Sequence, residues 1–151
     1  MTTKGTTICA FLISTTSWAA EINGIEIPDH ELLAVVAAVQ RNVPDKTLHV
    51  YFQKLLIAIR KTENGRAGRE FGILVPGVDT LDEQAGWCAA SCWKGWLRWK
   101  RYERRGGSLP FLVHFGNRYS PPKHNPHWLR TVVFFLRKME NGAAIVQPAP
   151  K

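Results

Sequence analysis

The residue best suited to proton-transfer chemistry in this sequence is Glu63, an acid that continues an apolar helical stripe. Apolar side chains recur at the three- and four-residue spacing of one buried helix face, and they are Leu48, Phe52, Leu55, Leu56 and Ile59. Glu63 stands four residues after Ile59, on the same face. Loss of hydration beside apolar groups and the negative end of the helix dipole both favour the neutral acid, so we expect its pKa to be raised. Such a carboxyl is suited to general acid catalysis of glycosidic cleavage.

The residues around Glu63 leave a second interpretation open. Asn64 and Gly65 follow at once and can supply the left-handed turn that ends a helix. In the alternative, Glu63 is an exposed acid in the last helical turn that pairs with Arg60 or Arg66. Spacing alone does not decide between a catalytic acid and a surface ion pair.

The catalytic candidate lies on the second of four predicted helices. Their predicted ranges are 31–41, 46–62, 82–104 and 126–140. Asp29 and Asp45 are typical N-caps for the first two, and the third is expected to begin at Thr80 or Asp82. The last helix buries an apolar face with Trp128, so we interpret it as scaffold.

The chain has the length and composition of one folded domain. It has 151 residues, of which 45% are hydrophobic and 21% charged. Residues 21–28 alternate polar and apolar side chains around Asn23-Gly24, which predicts a short extended segment. We therefore predict an α+β, predominantly α-helical domain over residues 20–142, followed by a C-terminal tail at 143–151.

The first nineteen residues have the pattern of a secretory signal peptide. Lys4 is the only charge, Ile8–Ile13 is apolar, and Ser17 and Ala19 are the small residues expected before a cleavage site. The alternative is a buried N-terminal strand, because Thr, Ile, Phe and Leu favour strands. No apolar run approaches the ~20 residues of a spanning helix, so no transmembrane anchor is predicted. A signal peptide predicts a protein that is exported to the periplasm or the extracellular space.

The net charge of +8 favours an anionic partner, and the third helix concentrates much of this charge. That helix interleaves aromatic and basic residues, namely Trp87, Trp93, Trp96 and Trp99 with Lys94, Arg98, Lys100, Arg101, Arg104 and Arg105. Such a pattern fits nucleic acid, with rings stacked on bases, or an anionic wall polymer, with rings stacked on sugars. It also fits tryptophans that belong to the core behind a solvated basic face, and all three interpretations stay open.

The cysteine and histidine residues predict no metal or cofactor. Cys88 and Cys92 are four apart in the third helix, where a bridge between consecutive turns constrains little. We interpret both as small packing residues, with a disulfide as the alternative. No second pair of ligands stands at a suitable spacing for zinc, and His114 is interpreted as a core histidine.

Several segments resemble the lysozyme-like glycosidases and lytic transglycosylases of phages and bacteria. The catalytic segment of that superfamily resembles residues 58–65 (AIRKTENG) and 68–74 (GREFGIL), in which a helix ends in Glu before a glycine-containing turn. Its later aromatic segment and final helix resemble residues 114–121 (HFGNRYSP) and 125–129 (NPHWL). The resemblance covers about residues 46–139, and no cofactor is expected.

The resemblance implies a lysozyme-like single domain with a small strand or loop region after the catalytic helix. It implies an enzyme that cuts the glycan strands of bacterial peptidoglycan, with Glu63 as the catalytic acid. An aromatic hydroxyl at Tyr119 would face Glu63. The substrate-binding residues that it implies are Tyr119, Gly72, Asn117 and Ser120.

The sequence departs from the family pattern in ways that affect the mechanism. Val75 stands where many lytic transglycosylases carry Gln. Glu70 and Asp79 are the only candidates for a second carboxylate. Hydrolases use a pair of carboxyl groups roughly 5–10 Å apart, whereas the resembling transglycosylases use one Glu and the 6-hydroxyl of the sugar. Hydrolysis and formation of a 1,6-anhydro product both stay open, and the single-Glu mechanism is favoured.

Two other functions stay open. The chain can be a non-enzymatic basic helical module that binds nucleic acid or assembles with a phage or envelope complex. It can also be a lysozyme-like domain that binds without cutting. Export would favour the wall enzyme, whereas retention of residues 1–19 in the cytoplasm would favour the nucleic-acid binder or a phage protein that lysis releases.

Overall fold

The computed structural model describes residues 19–22, 24–120, 123 and 125–143. Its elements, in chain order, are β1 (Ala19–Ile22), β2 (Ile25–Pro28), α1 (Asp29–Asn42), a 3-10 turn (Lys46–Leu48), α2 (His49–Glu63), α3 (Leu81–Arg104), α4 (Phe111–Tyr119) and α5 (Asn125–Ala143). The prediction of a predominantly helical domain is confirmed. Most of the predicted leader and tail, residues 1–18 and 144–151, lies outside the described residues.

The two strands form an antiparallel hairpin at the start of the described chain. Ala19 pairs with Pro28 and Ile22 pairs with Ile25. The buried and exposed residues of β2 alternate, and Ile25 and Ile27 enter the core. The predicted extended segment is therefore confirmed. The structure adds that its two strands pair as a hairpin. In the region between α2 and α3, the structure has a loop and no strand.

The helix starts differ in part from those that the sequence predicted. Asp29 is the first residue of α1 and does not cap it, because Pro28 holds the N-cap position. Asp45 caps the short 3-10 turn by accepting a hydrogen bond from the Thr47 amide at 3.0 Å. Thr80 caps α3 in a capping box with Glu83. Of the two predicted starts, Thr80 and Asp82, the first is therefore confirmed.

The centre of the core is α2, which packs against α1, α3 and α5. Its predicted stripe is confirmed at Phe52, Leu55, Leu56 and Ile59, all of which are buried. Arg60 lies at the α1 interface, where its Nε and Nη2 atoms donate to both oxygens of Glu31 at 3.1 and 2.8 Å. Arg60 is therefore not the ion-pair partner of Glu63.

An aromatic cluster closes the other side of the core. Phe52 contacts three rings from α3 and α4, which are Trp93, Trp96 and Phe111. Trp99 packs on Trp96, with the two ring centroids 4.9 Å apart. Cys88 and Cys92 are buried with free thiols, which confirms them as packing residues. No helix in the described ranges has the length and apolarity to span a membrane.

Candidate active site

Glu63 lies at the wall of a cavity of about 660 Å³. It is the last residue of α2, and Asn64 ends the helix in the left-handed conformation with φ of 46°. The cavity is bounded by the end of α2, the loop at 72–75, one face of α3, the end of α4 and the start of α5. Because the helix stripe runs straight into Glu63, the carboxyl sits at the edge of the core, half-buried.

The Glu63 carboxyl has one hydrogen-bond donor among the described residues. The indole Nε1 of Trp128 donates to Oε1 at 2.7 Å. Burial raises the pKa of Glu63 above its ordinary value, and the hydrogen bond from Trp128 opposes the rise because it stabilises the carboxylate. The raised pKa was expected from the sequence.

The indole contact determines which oxygen carries the proton in the neutral acid. An N–H donor is best accepted by the carbonyl oxygen of a carboxylic acid, so Oε1 serves as that acceptor. The proton therefore belongs on Oε2. No hydrogen-bond donor among the described residues contacts Oε2, which lies beside Gly72, so its hydrogen-bonding capacity is unused within the described part of the chain.

Gly72 brings the loop after α2 against the Glu63 carboxyl. Its φ is 69°, a left-handed conformation that favours glycine. A Cβ atom built at this position would overlap the carboxyl group of Glu63. The structure thus brings Gly72 to the cavity, where the resemblance to lysozyme-like enzymes implied a substrate-binding residue, and only a residue without a side chain fits there.

The loop that carries Gly72 is held by one buried amide, that of Gln84 in α3. Its Nε2 donates to the carbonyl oxygens of Ile73 and Val78 at 2.9 and 2.7 Å. Its Oε1 accepts hydrogen bonds from the amides of Phe71 and Ile73 at 3.3 and 3.2 Å. Gln84 therefore fixes the path of the cavity wall, a role that no sequence pattern suggested.

Tyr119 lines the cavity, but its hydroxyl does not contact Glu63 directly. The hydroxyl donates to the Phe71 carbonyl at 2.7 Å and approaches the Cys88 sulfur at 3.5 Å. Burial and the neighbouring thiols raise the pKa of Tyr119, so it stays a neutral donor. Its ring lies against the indole of Trp128, with centroids 5.4 Å apart. Tyr119 thus supports the loop and the indole that in turn contact Glu63.

The two other predicted binding residues, Ser120 and Asn117, differ in their position relative to the cavity. Ser120 is buried and lines the cavity. Asn117 is exposed, does not line the cavity, and accepts a hydrogen bond from the side chain of Asn125. It precedes Tyr119 by two residues, about 200° around the helix, so the two side chains point to different sides. The structure therefore does not bring Asn117 to the cavity beside the other predicted binding residues.

Neither candidate for a second carboxylate lies in the cavity. Glu70 is buried below the loop, where its Oε1 accepts a hydrogen bond from the Gly68 amide at 3.0 Å. Asp79 is exposed and pairs with Arg69 at 2.9 Å. Glu63 is the one acid among the described residues that line the cavity.

Several residues that line the cavity were not among those predicted for the site. Trp128, interpreted as scaffold, is the hydrogen-bond donor to Glu63. Trp87 lines the cavity with 47% of its surface exposed, whereas the three later tryptophans of α3 pack on the core. Arg118 adds a cation to the rim. A buried indole N–H usually has a hydrogen-bond partner, and this rule could have drawn attention to Trp128.

Comparison with known proteins gives no relative for this chain: no family model, curated protein or solved structure matches it. Within the described residues, no group of three or more His, Cys, Asp or Glu side chains is arranged to hold a metal ion.

Proposed function

We propose that this protein is a glycosidase that cleaves the glycan strands of bacterial peptidoglycan, with Glu63 as its general acid. The observation that carries the proposal is the half-buried Glu63 carboxyl, which lines a cavity large enough for sugar rings, has a raised pKa and accepts a hydrogen bond only through Oε1 among the described residues. Ligand-binding clefts typically have volumes of about 300–1,000 Å³. A carboxyl that keeps its proton to higher pH can deliver it to the oxygen of a scissile bond.

The absence of a second acid from the described cavity lining supports the single-carboxylate mechanism. Glu63 gives the Oε2 proton to the glycosidic oxygen as the bond from that oxygen to the anomeric carbon breaks. The resulting carboxylate then takes the proton of the sugar's 6-hydroxyl while that oxygen bonds to the anomeric carbon. The products are a free hydroxyl end and a 1,6-anhydro end, and the acid is regenerated.

Aromatic surfaces around the cavity suit a sugar substrate. Trp87 presents an exposed ring at the rim, and the rings of Tyr119 and Trp128 line the wall beside Glu63. An amphipathic ring offers an apolar face to the C–H groups of a sugar. The choice of peptidoglycan among glycans depends on the resemblance to lysozyme-like enzymes and on the net charge of +8, which favours an anionic wall. Action on the wall would require export or release by cell lysis.

Replacement of Glu63 by Gln tests the proposal directly. Glu63→Gln keeps the size of the side chain and an oxygen to accept from Trp128, but it removes the transferable proton. We expect clearing of purified sacculi to fall by about 10²–10⁴-fold or more, the usual contribution of general acid catalysis. The matched control is Glu26→Gln, the same change at an exposed position of β2, which should cleave like the wild type.

Mass spectrometry of the fragments distinguishes the two reactions. Anhydro ends support the single-carboxylate mechanism, whereas reducing ends would assign the enzyme to hydrolysis. A Glu63→Gln protein that clears sacculi at the wild-type rate would end the assignment of Glu63, and a wild-type protein without activity on walls of several compositions would end the proposal.

The stability of the same variant checks that the fold is intact. Burial raises the pKa of Glu63 in the folded state, so ionisation penalises folding once the pH rises above the ordinary value of 4.5. The Glu63→Gln protein should therefore be at least as stable as the wild type at pH values above the raised pKa. The two should converge below 4.5, where both side chains are neutral. Thermal unfolding measured across this pH range provides the comparison.

A further inference from the structure

One face of α3 lines the cavity at its N-terminal part and carries basic residues further along the helix. Trp87 and Ser91 line the cavity. The positions that continue their face, at alternating steps of three and four residues, are Lys94, Arg98, Arg101 and Arg105. From residue 87 to residue 105 this face has no acid, because Glu103, the one acid of the segment, lies about 160° away. Ser91 and Arg101 are ten helical steps apart, which corresponds to about 15 Å along the helix.

Two residues of α4 add to this row where α4 packs on α3. The His114 ring lies on the Tyr102 ring, with centroids 5.0 Å apart. Arg118 follows His114 by one helical turn and lines the cavity itself. We call this set the basic track, and its members are Lys94, Arg98, Arg101, Arg105, His114 and Arg118.

The basic track has unused hydrogen-bond donors and no neutralising acid in the described part of the chain. The ion pairs of the described residues involve other cations, namely Arg60, Arg69 and Lys100. The buried Nε of Arg98 and the buried Nδ1 of His114 have no hydrogen-bond partner among the described residues. Polar groups in this state are uncommon in folded proteins, and an absent ligand is one explanation for them.

The members of the track repel one another. The pKa of Arg98 is lowered by partial burial and by the charges of Arg118 and Arg101. The pKa of His114 is lowered by partial burial and by the charges of Arg118 and Arg98. An anion placed among these groups would relieve the repulsion and supply the missing acceptors.

We propose that the basic track binds the anionic groups of the same polymer whose glycosidic bond reaches Glu63, so that the substrate is an acidic glycan rather than a neutral one. This inference rests on the proposed function. The cavity must bind one part of a glycan before the basic track can bind the adjoining part of the same polymer. The shared chemistry of the bound groups is an oxyanion, either a carboxylate on the glycan strand or a phosphate on a wall polymer attached to it. Guanidinium groups suit both.

Binding to insoluble sacculi in the Glu63→Gln background tests the track without cleavage. Adding Arg98→Gln and Arg118→Gln should weaken binding about tenfold at low salt, with a smaller effect at high salt because exposed charges are screened. The control pair is Arg41→Gln with Arg137→Gln, which makes the same change in net charge at exposed sites on α1 and α5. This control should bind like its parent.

The source of the oxyanion is distinguished by comparing intact sacculi with sacculi from which phosphate polymers have been extracted. If the Arg98 and Arg118 effect persists on extracted sacculi, the track binds carboxylates, and if it disappears, the track binds phosphates. The proposal is overturned if the double variant binds both preparations like the control pair. It is also overturned if binding to sacculi is unchanged while binding to duplex DNA collapses, which would assign the track to nucleic acid.

A titration of His114 by NMR gives a second measurement that does not depend on the variants. The charged and titratable groups that face His114 are Arg98 and Tyr102 of α3 and Arg118 of α4. Soluble acidic glycan fragments added to the Glu63→Gln protein should raise the His114 pKa, because a nearby anion stabilises the imidazolium. An unchanged pKa at saturating fragments would contradict the proposal. The two proposals fail in different ways. Cleavage of sacculi by the Glu63→Gln protein would refute the role of Glu63, whereas the His114 pKa reports only on binding of the anion.

Discussion

Replacement of Gln84 by Met would release the loop that forms the cavity wall. Met matches the length and approximate volume of Gln but offers no strong donor or acceptor. The carbonyl oxygens of Ile73 and Val78 would keep a contact with the Arg69 guanidinium at 3.5 and 3.1 Å. The amides of Phe71 and Ile73, however, would lose the acceptor that they share in Gln84.

The size of the expected loss in the free energy of unfolding follows from these two amides. An unsatisfied buried donor costs about 1–3 kcal/mol, so the pair would cost about 2–6 kcal/mol in a rigid loop. Because Ile73 is only partly buried, relaxation should reduce the loss in the free energy of unfolding to about 2–4 kcal/mol. In a domain of this size that loss lowers the melting temperature by roughly 5–15 °C.

Calorimetry of the purified variant measures the loss, and sacculus clearing measures the effect on the cavity. The matched control is Gln40→Met on the exposed face of α1, which should melt within about 2 °C of the wild type. Clearing by Gln84→Met should fall even at temperatures where the protein stays folded, because the wall beside Glu63 is no longer fixed. A variant that melts and clears like the control would refute the role of Gln84.

Two further changes test the contacts to Glu63. Gly72→Ala should reduce clearing at least tenfold, since a methyl group would displace the carboxyl and φ of 69° is strained for Ala. Gly77→Ala, where φ is 80° but no atom lies near the new methyl group, is the control for backbone strain, and equal losses in both would contradict the displacement. Clearing by the wild type should decline as the pH rises through the raised Glu63 pKa, and Trp128→Phe should move that decline to higher pH by removing the donor that stabilises the carboxylate. A decline at unchanged pH would show that the indole does not tune the acid.

The sequence alone determined the properties that depend on local spacing. The apolar stripe of α2 includes the position of Glu63, and burial on that stripe together with the helix dipole predicted the raised pKa that the structure has. Asn64 was recognised as the helix end, and Thr80 as a start of α3. These inferences succeeded because helix periodicity, capping and burial of a stripe are set within a few residues.

Local spacing did not predict the partner or the position of a side chain that has more than one possible contact. Arg60 was a candidate partner for Glu63, but it pairs with Glu31 because α1 crosses α2 at that turn. Glu70 and Asp79 were candidate carboxylates, but the loop buries one and turns the other to solvent. The direction of a loop side chain depends on backbone angles that no repeating pattern in the sequence specifies.

Only the tertiary structure decided which groups meet Glu63. Trp128 reaches it across 65 positions of the chain, and Tyr119 reaches the Phe71 carbonyl across 48. Such contacts depend on how α4 and α5 cross the end of α2. A helical sequence specifies which of its faces is apolar, whereas the crossing angle and register come from the mutual fit of all the side chains in the core. The acid was therefore visible in the sequence, and its hydrogen-bond donor became visible only when the helices were packed.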